Sequence, residues 1–278
     1  MNLKPMNIEV LGYKAMIPAE EHETFDATTE DYANTQMEAN EEKTRNFILP
    51  YIVKNNARTV LDVGCGVGTM VQFLLREGFD AYGVDLASLT GYWHKQKLDA
   101  NHFFVIDPMN FELPFLDDTF DFIFTLGVIE HIGTTNGHSD RHENYHEYRK
   151  KWLREVFRVV KPGGHMLIGG PNRNFPIDTA HGLDSRASTL EKKISSMAGV
   201  SIHKTWGENF LWSYQDFPVY LEGLDFRLKG QRVSGYGNYS RVPGLFRHLA
   251  RWYVDYMPGF FLETGLNPWV MALIKKNK

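Results

Sequence analysis

Three aspartates and three glycines share a spacing that suits one kind of chemistry. Asp62, Gly64, Gly66 and Gly68 lie in VLDVGCGVGTM (residues 60–70), Asp85 ends AYGVD, and Asp107 ends HFFVID. Each carboxylate closes a short apolar run of strand character. In a parallel sheet all three would stand at the carboxyl ends of neighbouring strands, where ligands of such sheets bind. The glycines, lacking Cβ, accept positive φ and let a ligand approach the main chain. The pattern D-x-G-x-G-x-G differs from the dinucleotide fingerprint G-x-G-x-x-G, because Thr69 takes the place of the third glycine. It also lacks the Lys-Ser/Thr pair of a phosphate-binding P-loop. A carboxylate at Asp62 repels phosphate and attracts an ammonium or sulfonium group. Asp85, about twenty residues on, suits the hydroxyls of a ribose.

A second set of residues could act on an acceptor. His131, in VIEHIG, follows the fourth strand-like run, and an imidazole there could take a proton from a hydroxyl near neutral pH. Glu130 beside it is read as structural. Arg173, Asp178 and His181, in PNRNFPIDTAHG, follow the fifth apolar run and could bind a polar or anionic group. His138, His142 and His146 recur every four residues, which would align imidazoles on one helix face. The stretch is polar throughout and suits a solvated helix, so no metal is expected.

The elements that would position these groups alternate between two periods. Thr59–Val63, Ala81–Asp85, HFFVID, FDFIFTLGV and GHMLIGG read as strands, the last of them after a KPGG turn at Lys161–Gly164. Amphipathic runs separate them, including 69–78 and YHEYRKKWLREVFRVVK. Strands this apolar, alternating with helices, predict an α/β fold around a mostly parallel sheet buried on both faces. WVMALIKK (Trp269–Lys276) is the last strand expected. Residues 1–57 form an N-terminal arm or cap, acidic in places, whose end (EANEEKTRNFILPYIVKN) is helical. Residues 58–278 form the main domain, interrupted near 172–212 and 236–265.

Length and composition exclude several classes. The 278 residues, 43% hydrophobic and 23% charged, suit a globular chain with its own core. A formal net charge of −4 gives no broad attraction to nucleic acid. Cys65 is the only cysteine, so no internal disulfide is expected, and a cytoplasmic location fits the absence of a signal-like or membrane-spanning run.

VLDVGCGVGTM, YGVDLA, IDPMNFELPFLDDTFDFIFTLGVIEHI and VFRVVKPGGHMLI together resemble, in order and spacing, the class I S-adenosylmethionine-dependent methyltransferases. The resemblance covers roughly residues 58 to 170. It implies a Rossmann-like, doubly wound sheet of seven strands with an antiparallel last strand, and S-adenosylmethionine as cofactor, leaving S-adenosylhomocysteine. By that likeness Asp62, Gly64, Cys65, Gly66 and Gly68 would hold the methionine part, and Asp85 with Leu86 the ribose. Asp107, Pro108 and Met109 would flank the adenine, and the Leu126–Gly127 backbone would lie beside the amino group and sulfonium. Tyr32 and Gln36 would fold over the cofactor, and His131 would be the base. In the simplest relatives the last two strands form a close hairpin, whereas here about thirty residues intervene.

The activity so implied is methyl transfer by in-line displacement to a small-molecule acceptor, an oxygen of a sugar, lipid-linked glycan or secondary metabolite. The alternatives are a non-catalytic S-adenosylmethionine-binding subunit and an aminopropyl transferase using the decarboxylated cofactor. In LFRHLARWYVDYMPGFF, Leu245, Leu249, Trp252, Tyr253, Tyr256 and Phe260 fall at helical spacing. This stripe is expected to pack on its own domain as core or active-site lid. The other reading is peripheral contact of residues 245–262 with a membrane or lipid.

Overall fold

The computed structural model describes residues 39–86, 89–106, 110–134, 141–178, 183, 187–198, 201–202, 211–236 and 244–278. Its main sheet has seven strands: β1 (Thr59–Val63), β2 (Asp80–Asp85), β3 (Phe103–Val105), β4 (Phe120–Leu126), β5 (Val160–Pro171), β8 (Phe226–Gly230) and β9 (Trp269–Lys276). They are hydrogen-bonded in the order β3-β2-β1-β4-β5-β9-β8. The sheet is mostly parallel with an antiparallel end, as expected. A separate antiparallel ribbon joins β6 (Ile177–Asp178) to β7 (Ser201–Ile202).

The chain divides into two compact units. The first takes the described residues up to Phe124 with Glu155–Met166 and Lys276–Lys278. The second takes Thr125–Arg154 with Leu167–Lys275.

In the first unit β1 pairs in parallel with β2 and β4, and β2 with β3. Val60, Leu61 and Val63 are buried, as are Ala81, Val84, Phe120, Phe122 and Phe124. Apolar side chains on both faces are what a covered parallel sheet demands. Parallel register then sets Asp62 opposite Gly83, one residue before the Val63–Val84 pair. The start of β1 is pinned by Asp121, whose Oδ2 accepts the Arg58 and Thr59 N–H groups at 3.0 and 2.9 Å, and whose Oδ1 meets Lys161 Nζ at 2.6 Å. Burial pushes this carboxyl up, but Lys161 and the Thr59 and Arg58 donors hold it down at about 2. The KPGG segment expected as a turn lies inside β5, where Gly163 at φ +78° accommodates a local irregularity without ending the strand.

Residues 39–43 are helical and run through a π-helical turn, Thr44–Ile48, into α1 (Leu49–Lys54). This segment docks on α2 (Thr69–Arg76) through the Glu41–Arg76 ion pair at 2.8 Å and through Arg45 over the Phe73 ring. A short helix, α3 (Thr90–Lys95), lies between β2 and β3.

In the second unit α4 (Tyr145–Arg158, of which residues 145–154 belong here) carries Arg149 and Trp152 inward. Arg149 is 0% exposed and donates to the carbonyls of Ile132, Leu211 and Glu130 at 3.1, 3.3 and 3.0 Å, with its guanidinium over the Tyr145 ring. The insertion before the last strand holds α7 (Gly244–Tyr256), and the insertion after β5 holds α5 (Thr189–Ala198). A single turn, α6 (Phe217–Tyr220), is buried through both of its aromatic ends.

Candidate active site

In the first unit β1 and β2 deliver their carboxylates side by side. Asp62 is 4% exposed, and no donor among the described residues bonds its carboxylate. Burial raises its pKa well above 3.8, the Asp85 charge raises it further, and the Lys43 ammonium opposes both. Asp85 accepts the Gly66 N–H and the Leu86 N–H, each at 2.7 Å. Its pKa is raised by burial and drawn back by those two bonds. Asp85 therefore shapes the glycine turn while keeping the outer lone pairs of its carboxylate for other donors.

The turn consumes its own donors. Gly64 and Cys65 N–H both point to the Val84 carbonyl at 2.8 and 3.2 Å, Gly66 N–H goes to Asp85, and Gly68 N–H goes to the Cys65 carbonyl at 2.9 Å. A phosphate-binding turn offers such groups to its ligand. With four of them spent, and one buried and one half-buried carboxylate alongside, this turn suits a cation and hydroxyls rather than a pyrophosphate.

The glycines are required for different reasons. A Cβ on Gly68 would sit 2.5 Å from the Phe103 ring and 2.9 Å from Leu98, so this glycine serves packing. A Cβ on Gly66, at φ +55°, would meet nothing within 4 Å, so this glycine is needed for its backbone conformation and not for packing. Thr69, at the start of α2, has a buried hydroxyl with no hydrogen-bond partner among the described residues. Sequence reasoning missed Trp93 of α3, whose indole N–H donates to the Gly66 carbonyl at 2.8 Å and whose ring lies against Phe103. A tryptophan in an otherwise polar helix was the available signal. Cys65 is buried, and burial pushes its thiol up.

The model matching a family described as a methyltransferase domain covers residues 32–218, more than half of the chain. The chain belongs to the class I S-adenosylmethionine-dependent methyltransferases. Among its relatives, norajmaline N-methyltransferase of Rauvolfia serpentina is 31% identical over 118 residues, 40% of this chain and 35% of that one. Ubiquinone biosynthesis O-methyltransferase of Serratia proteamaculans is 24% identical over 120 residues, 42% and 44% of the two chains. The matches thus span less than half the length of these curated relatives. The solved structure of the plantazolicin methyltransferase BpumL covers 93% of this chain and 92% of its own at 14% identity, with a TM-score of 0.48.

The second unit holds the segment after β4. Gly127 takes φ +76°, and its N–H donates to the Gly169 carbonyl at 2.8 Å. Thr125 keeps a buried hydroxyl without a partner among the described residues. His131 closes a 3-10 turn, Ile129–His131, and its carbonyl accepts the Thr134 hydroxyl at 2.8 Å, so its backbone is fixed while the residue stays partly exposed. Glu130 is fully buried and its carbonyl is held by Arg149.

Arg173 forms an ion pair with Asp216 at 3.0 Å and bonds the Ser213 hydroxyl at 3.1 Å, with its side chain 11% exposed. Asp178 is buried in the β6–β7 ribbon. His146 meets the Tyr220 hydroxyl at 2.6 Å and His142 lies edge-on to Tyr148. Tyr32, Gln36, Asp107, Pro108, Met109, His138 and His181 lie outside the described residues.

Proposed function

We propose that this methyltransferase moves a methyl group from S-adenosylmethionine to a small-molecule acceptor, an oxygen of a sugar, lipid-linked glycan or secondary metabolite. The observation that carries the reading is a buried carboxylate, Asp62, and a half-buried one, Asp85, beside a glycine turn in which four N–H groups are already spent. S-adenosylmethionine supplies, when bound, an electrophilic methyl on a sulfonium. The residues of the first unit fit it. Asp62 would face the ammonium of the methionine part, in a position where burial makes an unpaired carboxylate costly and a bound cation restores its charge. Gly64, Cys65, Gly66 and Gly68 would give main-chain surface, with the open space at Gly66 receiving the ligand. Asp85 and Leu86 would hold the ribose, and Asp107, Pro108, Met109, Tyr32 and Gln36 would complete the enclosure. Leu126 and Gly127 would contribute backbone.

His131 would take the hydroxyl proton of the acceptor, since an alcohol attacks poorly until that proton is removed. An oxygen acceptor is favoured by this residue, and one relative is named for O-methylation. The other is named for N-methylation, for which a base matters less. With Arg173 engaged by Asp216, acceptor recognition would fall to Asp178, His181 and the segments around them.

Calorimetry with S-adenosylhomocysteine, followed by its release from S-adenosylmethionine across a panel of hydroxylated acceptors, tests the reading. Submicromolar to micromolar binding with release on at least one acceptor is expected. In the same assay His131→Ala should lower turnover strongly and leave affinity for S-adenosylhomocysteine unchanged. Binding without release on any acceptor would instead favour a non-catalytic subunit.

A further inference from the structure

The second unit holds its segments with very different firmness. The insertions leave apolar rows in water: on α7, Trp252 and Tyr256 are 60% and 72% exposed, and on α5, Met197 is 79% exposed. The stripe expected to serve as core or lid therefore faces outward. The other side of α7 is seated by buried Val254 and Met257, by the Tyr253 hydroxyl donating to the Leu266 carbonyl at 2.6 Å, and by the Arg232 guanidinium on the Met257 carbonyl. The turn that carries His131 is the opposite case, held along its whole length. The His131 N–H donates to the Val128 carbonyl at 2.9 Å, the Ile132 N–H donates to the Ile129 carbonyl at 3.1 Å, and the His131 carbonyl accepts the Thr134 hydroxyl at 2.8 Å. Gly133 closes the turn against the start of α4. At φ +76°, a Cβ there would lie 2.8 Å from the Tyr145 Cα, and the Gly133 carbonyl accepts the His142 N–H at 2.9 Å.

Arg149 completes this hold from α4. Its Nη2 donates to the Glu130 carbonyl at 3.0 Å and its Nε to the Ile132 carbonyl at 3.1 Å, so the carbonyls on both sides of His131 end on one guanidinium. Its Nη1 donates to the Leu211 carbonyl at 3.3 Å, tying the turn to the end of the insertion that follows β5. The Tyr145 ring covers the guanidinium, whose Cζ lies 5.0 Å from the ring centroid. A planar fork with donors on three nitrogens can reach three carbonyls from different segments, whereas an ammonium offers its donors from a single point. A residue whose flanking peptides are fixed has only its own side-chain torsions left to vary. For a base that must meet one hydroxyl this matters, because a displacement of about 1 Å can cost about 100-fold in rate.

We propose that Arg149 is a positioning residue for methyl transfer, its guanidinium fixing the Ile129–His131 turn so that the His131 imidazole is held where it meets the acceptor hydroxyl. The proposal rests on the reading of His131 as the base. Turnover is measured at saturating S-adenosylmethionine, on the hydroxylated acceptor of the panel that releases S-adenosylhomocysteine fastest, for the wild type, Arg149→Lys, His131→Ala and the double variant. Arg149→Lys should lower kcat about 10- to 100-fold, while acceptor KM and S-adenosylhomocysteine affinity stay within about twofold. In the His131→Ala background the same substitution should lower kcat less than about twofold, since no imidazole is left to misplace. Hydrogen exchange, which needs no acceptor, should show the amides of residues 128–134 exchanging about tenfold faster in Arg149→Lys. Where Arg149→Lys does not fold, Tyr145→Leu, which uncovers the guanidinium and keeps its donors, takes its place in the cycle with a smaller loss of about 3- to 10-fold. Unchanged kcat or unchanged exchange overturns the proposal and leaves the base standing. An equal loss with and without His131 overturns it too, because Arg149 would then act on the fold at large. His131→Ala with wild-type kcat, or no turnover on any acceptor, removes the base itself and the proposal with it.

Discussion

Buried charge occurs in both units of the chain, and the two cases differ in what answers it. Arg149 in the second unit is enclosed by its own chain: three backbone carbonyls accept its N–H groups and an aromatic ring covers its face. Asp62 in the first unit is enclosed just as fully, yet receives no hydrogen bond from the described residues, and its carboxyl is held well above the usual range by burial and by Asp85. Burial alone therefore does not mark a site. What marks this one is a buried carboxylate that receives no hydrogen bond from the described residues, with the Lys43 charge opposing its burial, beside a glycine turn that leaves open space at Gly66.

The contrast can be broken most directly by removing each charge. Arg149→Ala should cost about 3–5 kcal/mol of stability in urea unfolding, since it removes the buried donor that three backbone carbonyls share and leaves a cavity beside the Tyr145 ring. Asp62→Asn should do the reverse. Its affinity for S-adenosylhomocysteine should fall about 10- to 100-fold by calorimetry while its unfolding midpoint stays level or rises, because an uncompensated buried charge has been removed. An Asp62→Asn variant that unfolds more easily and binds as before would make the two residues equivalent and remove the distinction.

The glycines sharpen the same point on a smaller scale. Gly68→Ala drives a methyl into Phe103 and Leu98 and adds the strain of φ +84°, so it should lower stability by about 2–3 kcal/mol. Gly66→Ala meets open space and should cost only about 1 kcal/mol of stability, for its positive φ, while its methyl occupies the place assigned to the ligand and lowers affinity by more than that.

The smallest effect concerns a carboxylate whose pKa is shifted in the opposite direction from that of Asp62. Asp121, held at about 2 against an ordinary 3.8, stabilises the folded state above pH 3.8 and loses that contribution as pH falls through about 2. Asp121→Asn should flatten the acid limb of the unfolding midpoint between those values and lower the midpoint at neutral pH. An unchanged limb would show that Lys161 and the β1 amides do not depend on the charge.

The carboxylates at the ends of β1 and β2, the glycine turn and the alternation of strands and helices were legible because they rest on neighbours in sequence: an apolar run, then a permissive turn, then an amphipathic helix. The role of Trp93 was not, because its partner Gly66 lies 27 residues away. Nor was the engagement of Arg173, a loop arginine on paper and half of an ion pair in the fold, with Asp216 43 residues on. Arg149 sits within a helix of ordinary amphipathic pattern, and nothing local announces that one of its polar residues points inward to carbonyls 17, 19 and 62 residues distant.

Periodicity also has a limit at the C-terminal insertion. It specified that α7 would carry an apolar stripe, because side-chain direction along a helix follows from its 3.6-residue turn. Which arc of that helix would find a core was decided elsewhere, by Leu266, Arg232 and the buried places of Val254 and Met257. The sequence by itself determined the family, the element order and the residues at the strand ends, all of which depend on short-range pattern. Only the tertiary structure decided which charges the chain answers for itself, which glycine leaves room, and which apolar rows remain in water, since each depends on partners that chain separation hides.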